Sequence, residues 1–267
     1  MKVPALKVLV KLGGTLLDAP ESRARLAAEL AAAAREGVEL VVVHGGGKQM
    51  TRFLAERGIE SRFVNGLRVT TPEPIDAVLK VFAGSVNHEL VSALVAAGAQ
   101  AVGLSGIDAC LVEAEPLDPA LGAVGRVVRV NPELLHLLTE SGYVPVVACV
   151  AGDRQGHVYN VNAAQMAVAC AAAFGAGILL FLTDVQGVMN AEREVISELT
   201  PAECDRLIAQ GIATGGMQAK LNAASEAVRR GVGQVLIAPG SVPGIVKQAL
   251  ESQSVGTRLV PEAVQDV

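Results

Sequence analysis

A lysine stands one residue ahead of paired glycines in KLGG (Lys11–Gly14), and another stands four residues after a glycine pair in GGMQAK (Gly215–Lys220). A short apolar run precedes Lys11, so its ammonium ends a buried strand and needs an anion to offset its desolvation. Two such lysines converging on a transferring phosphoryl group would neutralise its charge without any covalent step. Glycines at strand ends let the backbone approach an anion closely, and their successive N–H groups form a nest for phosphate oxygens. Gly13 and Gly14 follow the first lysine, and Gly45 and Gly46 belong to HGGG (His44–Gly47). Each pair precedes a helical run whose N-terminus favours an anion. A tight strand-to-helix turn also uses glycine, and a lysine one turn into a helix can simply be solvated. The recurrence of the pattern at several strand ends favours the phosphate reading.

Other candidates lie beside these loops. LTDVQGV (Leu182–Val188) ends another apolar run and carries Asp184. Arg68, between apolar residues in FVNGLRVTTPEPID, is a candidate bidentate clamp for a substrate carboxylate, with an ordinary surface arginine as the alternative. Asn160 and Asn162 in YNVN suit amide or carboxylate recognition, or else make the turn before a helix. The P-loop pattern GxxxxGK[ST] is absent; in HGGGKQM the spacing is wrong, and Lys48 is expected to point along its helix. GxGxxG is absent after the first strand, which argues against a Rossmann dinucleotide site.

The elements that must position these residues alternate along the chain. Strands are expected at Lys7–Lys11, Leu40–Val43, Ala101–Leu104, Val144–Ala148, Ile178–Leu182 and Gln234–Ile237. Helices are expected at Pro20–Arg35, Gly47–Glu56, Glu73–Ala96, Pro132–Glu140, Ala163–Phe174, Pro201–Gln210, Gln218–Arg230 and Val242–Leu250, several behind a capping residue such as Thr200. The alternation reads as an α/β fold, a three-layer α/β/α sandwich with a mostly parallel central sheet. The segments Leu111–Val130 and Arg154–Asn162 lack long helical runs and are expected to form hairpins at the edge of that sheet. In such sheets ligands sit beyond the carboxyl ends of the strands, where this sequence puts its glycines.

Composition bounds the function. The 267 residues are 51% hydrophobic but only 3% aromatic, with no tryptophan, so the core is built from Ala, Val, Leu and Ile. The net charge of −5 and the lack of basic runs exclude nucleic acid as an expected partner. Cys110, Cys149, Cys170 and Cys204 lie far apart with no ligand spacing, and are expected as buried or neutral thiols of a cytoplasmic protein. Lys2, Lys7 and Lys11 interrupt any apolar leader, so no signal peptide is expected. The apolar stretch Ala163–Leu182 has the length of a membrane span, yet Gly175 and Gly177 break it; a buried helix turning into a buried strand is expected, and no membrane.

Taken together, KLGG, HGGG, NGLRVT, AVGLSGID, YNVNA, LTDVQGV, GGMQAK and GTRLV resemble the amino-acid kinase family, in the family's order and over nearly the whole chain. NGLRVT and NVNA resemble most the branch acting on N-acetylglutamate. The resemblance implies an enzyme of arginine biosynthesis that uses ATP, arriving with Mg²⁺, to phosphorylate the γ-carboxylate of N-acetyl-L-glutamate. It implies that Lys11 and Lys220 stabilise the transferring phosphoryl group. Backbone at Gly13, Gly14, Gly45 and Gly46 would hold phosphate oxygens and the reacting carboxylate, and Arg68 and Asn160 would bind acetylglutamate. Asp184, Val185, Gln186, Gly187, Val188 and Met189, with Ile212, Ala213 and Thr214, would lie at the nucleotide. An N-lobe (1–175) would take the amino acid and a C-lobe (176–267) the nucleotide, across one continuous sheet. Family members are at least dimers, and arginine-inhibited hexamers carry an extra N-terminal helix. With a first strand at Lys7, a homodimer without arginine feedback is expected.

Two positions depart from the family's pattern. GGMQAK replaces wording of the type GGMIPK, a mild change. Ala164 stands where the family usually has an aspartate bridging the two lysines. A carboxylate acceptor, with a pKa near ~4.3, is ionised at neutral pH and needs no general base, so the missing group would have organised the lysines. Asp153 and Asp184 are candidate substitutes. A slower acetylglutamate-phosphorylating enzyme is the expectation. The alternatives are a kinase for a related N-acylated acidic amino acid and a regulatory binder without activity.

Overall fold

A computed structural model describes residues 5–251 and 253–262. Lys2 and the last five residues of the expected C-lobe lie outside the described residues. The chain opens with β1 (Lys7–Leu12), α1 (Gly14–Asp18), α2 (Pro20–Arg35), β2 (Glu39–His44) and α3 (Gly47–Ala55). A short hairpin, β3 (Phe63–Val64) and β4 (Leu67–Arg68), leads into α4 (Pro72–Val78), a π-helical stretch (Leu79–Val86) and α5 (Asn87–Ala96). Next come β5 (Gln100–Ser105), β6 (Val112–Pro116), β7 (Val124–Val130), α6 (Glu133–Glu140), β8 (Tyr143–Ala148), β9 (Val150–Gly152) and β10 (Val158–Val161). The last part holds α7 (Ala163–Phe174), β11 (Ile178–Thr183), β12 (Glu198–Leu199), α8 (Pro201–Ala209), α9 (Gly215–Arg229), β13 (Gln234–Pro239), α10 (Ile245–Leu250) and β14 (Thr257–Leu259).

The central sheet has eight strands in the order β12-β14-β13-β11-β1-β2-β8-β5. All neighbours run parallel except β13 and β14. The six strands expected from sequence are its contiguous middle and one edge; β12 and β14, only two and three residues long, carry too little pattern to be read. The inner strands β1, β2, β8 and β11 are buried over most of their length, as continuous Val/Leu/Ile runs require. Helices α2, α5 and α10 cover one face, while α6, α7 and α9 cover the other. The expected three-layer arrangement is therefore the observed one.

Alanine explains how closely the second layer approaches. Helix α7 buries Ala167, Ala169 and Ala171 along with Met166, Val168 and Phe174, and packs on β1, β2, β11 and α9. Asn162 caps its start through Oδ1, and Gly175, left-handed at φ 70°, ends it. The membrane-length stretch is thus a twelve-residue core helix, a glycine turn and a buried strand. The run Pro72–Ala96 is long and apolar enough to pass a test of length and hydropathy for crossing a membrane. In the fold it lays Val78, Val81, Phe82, Val86, Leu90 and Leu94 on the core.

The two helix-poor segments do not sit at the edge of the main sheet. Hairpin β6–β7 and hairpin β9–β10 pair with each other, β10 with β7 and β6 with β9, as a separate closed four-stranded sheet. The chain leaves the main sheet at Cys149, between β8 and β9, whose N–H still bonds the His44 carbonyl at 3.1 Å. Pairing between hairpins so distant in sequence leaves no local signal. Helix α9 also begins at Gly215, three residues earlier than expected, so its glycines form its first turn.

Candidate active site

Register sets three motifs level. In β1, Lys11 lies opposite Val43 of β2 and Phe181 of β11, and Leu12 lies opposite His44 and Leu182. KLGG, HGGG and LTD therefore leave the sheet side by side, where the chain's course turns from β2 on one side of β1 to β11 on the other.

The glycine loops touch one another. A methyl group on Gly14 would lie 3.3 Å from the Gly47 nitrogen, and one on Gly13 would lie 3.4 Å from the Leu182 carbonyl. One on Gly45 would meet the Ala163 methyl at 3.3 Å. The Gly13 N–H donates to Leu182 O at 3.1 Å, so this glycine serves close approach rather than anion binding. Among the described residues the N–H groups of Gly14, Gly46 and Gly47 have no protein acceptor. Gly14 and Gly47 are also the first residues of α1 and α3, so these open donors lie where helix dipoles favour an anion.

Lys11 and Lys220 come together here. Burial lowers the Lys11 pKa, and repulsion from Lys220 lowers it further; Cys149 and Asp184 act in the opposite sense. Lys220 sits on the second turn of α9, its Nζ 3.5 Å from the Gly216 carbonyl, a loose contact that leaves the ammonium available. Asp184 is held ionised by a hydrogen bond from the Thr183 hydroxyl at 3.0 Å and by its own backbone N–H, with Lys220 and Lys48 adding to the effect. Lys48, expected to point along its helix, thus contributes positive charge at this mouth.

Ala164 is half-buried on the second turn-forming position of α7, the helix packed against both β1 and α9, which carry the two lysines. Of the two carboxylates considered as substitutes, Asp184 is the one whose charge reaches Lys11. Asp153 is engaged elsewhere: its carboxylate accepts from the His157 backbone N–H and Nδ1, the Gln155 N–H and the Tyr159 hydroxyl.

Beside the lysines a pocket of about 160 Å³ is lined by Gly45, Gly46, Gly47, Phe63, Arg68, Phe82, Cys149 and Asn160. Arg68, buried, donates to Ser61 Oγ, to Thr51 Oγ1 at 2.8 Å and to the Gly47 carbonyl at 3.0 Å. These bonds leave its Nε–H and one Nη1–H for a ligand carboxylate. Its guanidinium also lies 4.6 Å from the centre of the Phe63 ring, and burial lowers its pKa. Asn160 donates its amide to Thr70 Oγ1 at 3.1 Å, leaving Oδ1 to accept from a ligand N–H. Asn162 instead caps α7, accepting from the Ala164 and Gln165 N–H groups. Phe63 and Phe82 were not singled out by sequence. Phe63 lies in the same motif as Arg68, but Phe82, on the π-helical stretch, has no local signal.

The stretch expected at the nucleotide divides by exposure. Asp184, Gln186, Met189, Ile212 and Thr214 are exposed, whereas Gly187, Val188 and Ala213 are buried, and Val185 is half-buried. The Val188 N–H donates to Thr257 Oγ1 at 2.7 Å, and the N–H groups of Ile212 and Ala213 both reach the Leu207 carbonyl. Binding here therefore falls to side chains and to the loop surface. Gln186 lines a second cavity of about 390 Å³ with Val195, Ser197, Val242, Ile245 and Val255. Among the described residues no three His, Cys, Asp or Glu side chains cluster as a metal cage. The single carboxylate Asp184 fits a Mg²⁺ ion that arrives on a nucleotide's phosphates and keeps its waters.

Known proteins share this sequence and this fold. The family model described as the amino acid kinase family matches residues 7–239. An acetylglutamate kinase of Solibacter usitatus is 67% identical over 255 residues, covering 96% of this chain and 99% of that protein. Acetylglutamate kinases of Jannaschia sp. and Koribacter versatilis are 43% and 41% identical, over 90% and 96% of this chain and 84% and 99% of theirs. Among solved structures, N-acetylglutamate synthase from Neisseria gonorrhoeae superposes with a TM-score of 0.87 at 24% identity, over 97% of this chain, which spans 60% of that longer protein. Carbamate kinase from Giardia lamblia superposes with a TM-score of 0.73 at 18% identity, over 97% of this chain and 99% of that one. At these identities the likeness shows the fold alone.

Proposed function

The chain belongs to the amino acid kinase family, and on that premise we propose that it transfers the γ-phosphoryl group of ATP to the γ-carboxylate of N-acetyl-L-glutamate, releasing ADP and an acyl phosphate. The observation that carries this reading is the meeting of Lys11 and Lys220 at the end of β1, between open glycine N–H groups and a pocket holding Arg68 and Asn160. The relatives of known name, one at 67% identity, supply the substrate.

The chemistry follows from charge. The acceptor carboxylate is ionised at neutral pH and attacks without a general base. Negative charge then spreads over the transferring group, and two ammonium groups with preorganised backbone donors meet it. Arg68 would take the α-carboxylate through its free N–H groups, and Asn160 Oδ1 would accept from the acetamido N–H, which fixes the γ-carboxylate for in-line attack. Asp184 would face the Mg²⁺ on the incoming phosphates and balance the two lysines. The nucleotide is proposed to contact Gln186, Met189, Ile212 and Thr214 from the C-lobe (176–267), with the amino acid in the N-lobe (1–175).

The reading as a regulatory binder is not favoured, since both lysines, the glycine loops and the substrate-side residues are present together. A kinase for a related N-acylated acidic amino acid differs only in what the pocket accepts. The protein is further proposed to act in the cytoplasm, in arginine biosynthesis, as a homodimer; light scattering on the purified protein gives its assembly.

The deciding experiment traps the acyl phosphate with hydroxylamine in the presence of ATP, Mg²⁺ and N-acetylglutamate, with N-acetylaspartate and N-acetylaminoadipate in parallel. Hydroxamate from N-acetylglutamate, absent with Lys11→Ala, is expected. A folded protein that binds both ligands yet forms no more hydroxamate than Lys11→Ala would overturn the reading.

A further inference from the structure

His44, the last residue of β2, has no exposed surface and makes two hydrogen bonds through its ring. Nδ1 lies 2.9 Å from the Gly45 carbonyl, and Nε2 lies 2.9 Å from the side-chain nitrogen of Asn87. Asn87, also fully buried, directs that same nitrogen at the Val146 carbonyl, 2.9 Å away. A carbonyl can only accept, so it fixes the amide with its NH₂ group inward. Nε2 must then accept as well, and the ring proton sits on Nδ1, where it donates to Gly45. Burial, which pushes the His44 pKa down to about 4, agrees with a neutral ring.

The consequence lies one peptide further on. The Gly45 carbonyl and the Gly46 N–H belong to the same planar trans peptide and point in opposite directions. With the carbonyl turned inward onto His44, the N–H is turned outward, and Gly46 lines the pocket with no protein acceptor for it. We infer that His44, held as its Nδ1–H tautomer by Asn87, is a positioning residue that aims the Gly46 N–H at the anion in the pocket. The inference rests on the proposed reading of that pocket as the seat of transfer to a carboxylate.

The helix supporting this relay is built for it. Phe82 and Asn87 are five residues apart, and both face the HGGG loop: a methyl on Gly46 would lie 2.8 Å from Phe82 Cδ1. Such spacing falls on one side of a helix where turns are widened, and the π-helical stretch Leu79–Val86 supplies that widening. On the far side Asn87 fits against Gly103 of the edge strand β5, where an added methyl would come within 2.1 Å of Asn87 Oδ1. Glycine at 103 thus leaves the room in which Asn87 stands.

That contact supplies a probe remote from the pocket. Gly103→Ala, Asn87→Ser, their double variant and His44→Phe are compared with wild type by steady-state kinetics, thermal melting and ¹⁵N NMR of the His44 ring and the Gly46 amide. Wild type is expected to show the Nδ1–H tautomer. Gly103→Ala and Asn87→Ser should each lower kcat about 10- to 100-fold, the range for a misplaced catalytic geometry, with the KM for ATP within about twofold and the Gly46 amide resonance moved. The double variant should be no slower than Asn87→Ser, because serine leaves room for the new methyl. Multiplying effects, a lowered melting temperature with unchanged kcat, or an unmoved Gly46 amide would each overturn the inference. So would an Nε2–H tautomer in wild type, a result that needs no variant to fold. Should wild type fail to phosphorylate N-acetylglutamate, the function reading falls, while the tautomer and the Gly46 resonance still decide the relay.

Discussion

Asn160 and Arg68, far apart in sequence, are joined by a single buried hydroxyl. Asn160 donates to Thr70 Oγ1 at 3.1 Å, and Thr70 donates to the Arg68 carbonyl at 2.9 Å. The segment after the β3–β4 hairpin is thereby tied to β10, and the two groups assigned to the amino acid are held at a set separation. Thr70→Val removes the link while keeping the shape. It is expected to raise the KM for N-acetylglutamate about tenfold, the equivalent of about 1.4 kcal/mol, and to leave the KM for ATP unchanged. Equal rises for both substrates would argue against a link specific to the amino acid.

Arg68→Lys keeps the charge and loses the fork. A lysine offers one point of attachment and cannot hold Ser61, Thr51, the Gly47 carbonyl and a carboxylate together. The expected result is a 10- to 100-fold loss in kcat/KM for the amino acid, roughly 1.4–2.7 kcal/mol. Retention of near wild-type kcat/KM would show that charge alone suffices.

Burying Lys11 beside Lys220 carries a cost to the fold. Because its pKa is lowered in the folded state, by burial first and then by Lys220, unfolding takes up protons between the folded value and the ordinary value of 10.5. Stability from this residue therefore rises with pH through that window, and the penalty is complete once Lys11 is charged in both states. Lys11→Met should melt at a higher temperature than wild type near neutral pH, where the penalty of burying the charge applies. The gap should close toward pH 10.5, and activity should be lost. A variant melting below wild type at every pH would contradict this account.

With alanine at position 164, Asp184 is the carboxylate whose charge acts with those of Lys11 and Lys220, and its proposed role is that of their charge partner. Asp184→Asn should reduce kcat about tenfold or more, since both the lysines and the Mg²⁺–nucleotide lose a carboxylate. Adding Ala164→Asp on the neighbouring helix should recover part of that loss by restoring a partner for the lysines. No recovery, with the nucleotide still bound, would confine Asp184 to the nucleotide.

The four thiols should differ sharply in reactivity. Burial pushes Cys149 and Cys170 up to about 12 and also raises Cys204, whereas Cys110 is exposed. Alkylation of the native protein, followed by mass mapping, should label Cys110 alone. Rapid labelling of Cys149 would mean that the glycine loops open.

The six main strands and the helix following most of them were legible in the residues, because strand runs and helical faces are local periodicities. The positions of Lys11 and the glycine loops at strand ends were legible too, as was that of Lys220 behind the glycine pair of its helix. What could not be read was pairing. That β6–β7 and β9–β10 close on each other is decided by contacts between segments with no shared local signal. The π-helical turn that brings Phe82 and Asn87 onto one loop is a change of winding inside an otherwise ordinary apolar helix. The sequence by itself determined which groups are present and at which strand ends they stand. Only the tertiary structure decided which donors stay open: it engages the N–H of Gly13 and leaves those of Gly14, Gly46 and Gly47 free. Every glycine carries the same N–H in sequence, and the carbonyl that happens to face it settles whether an anion can bind there.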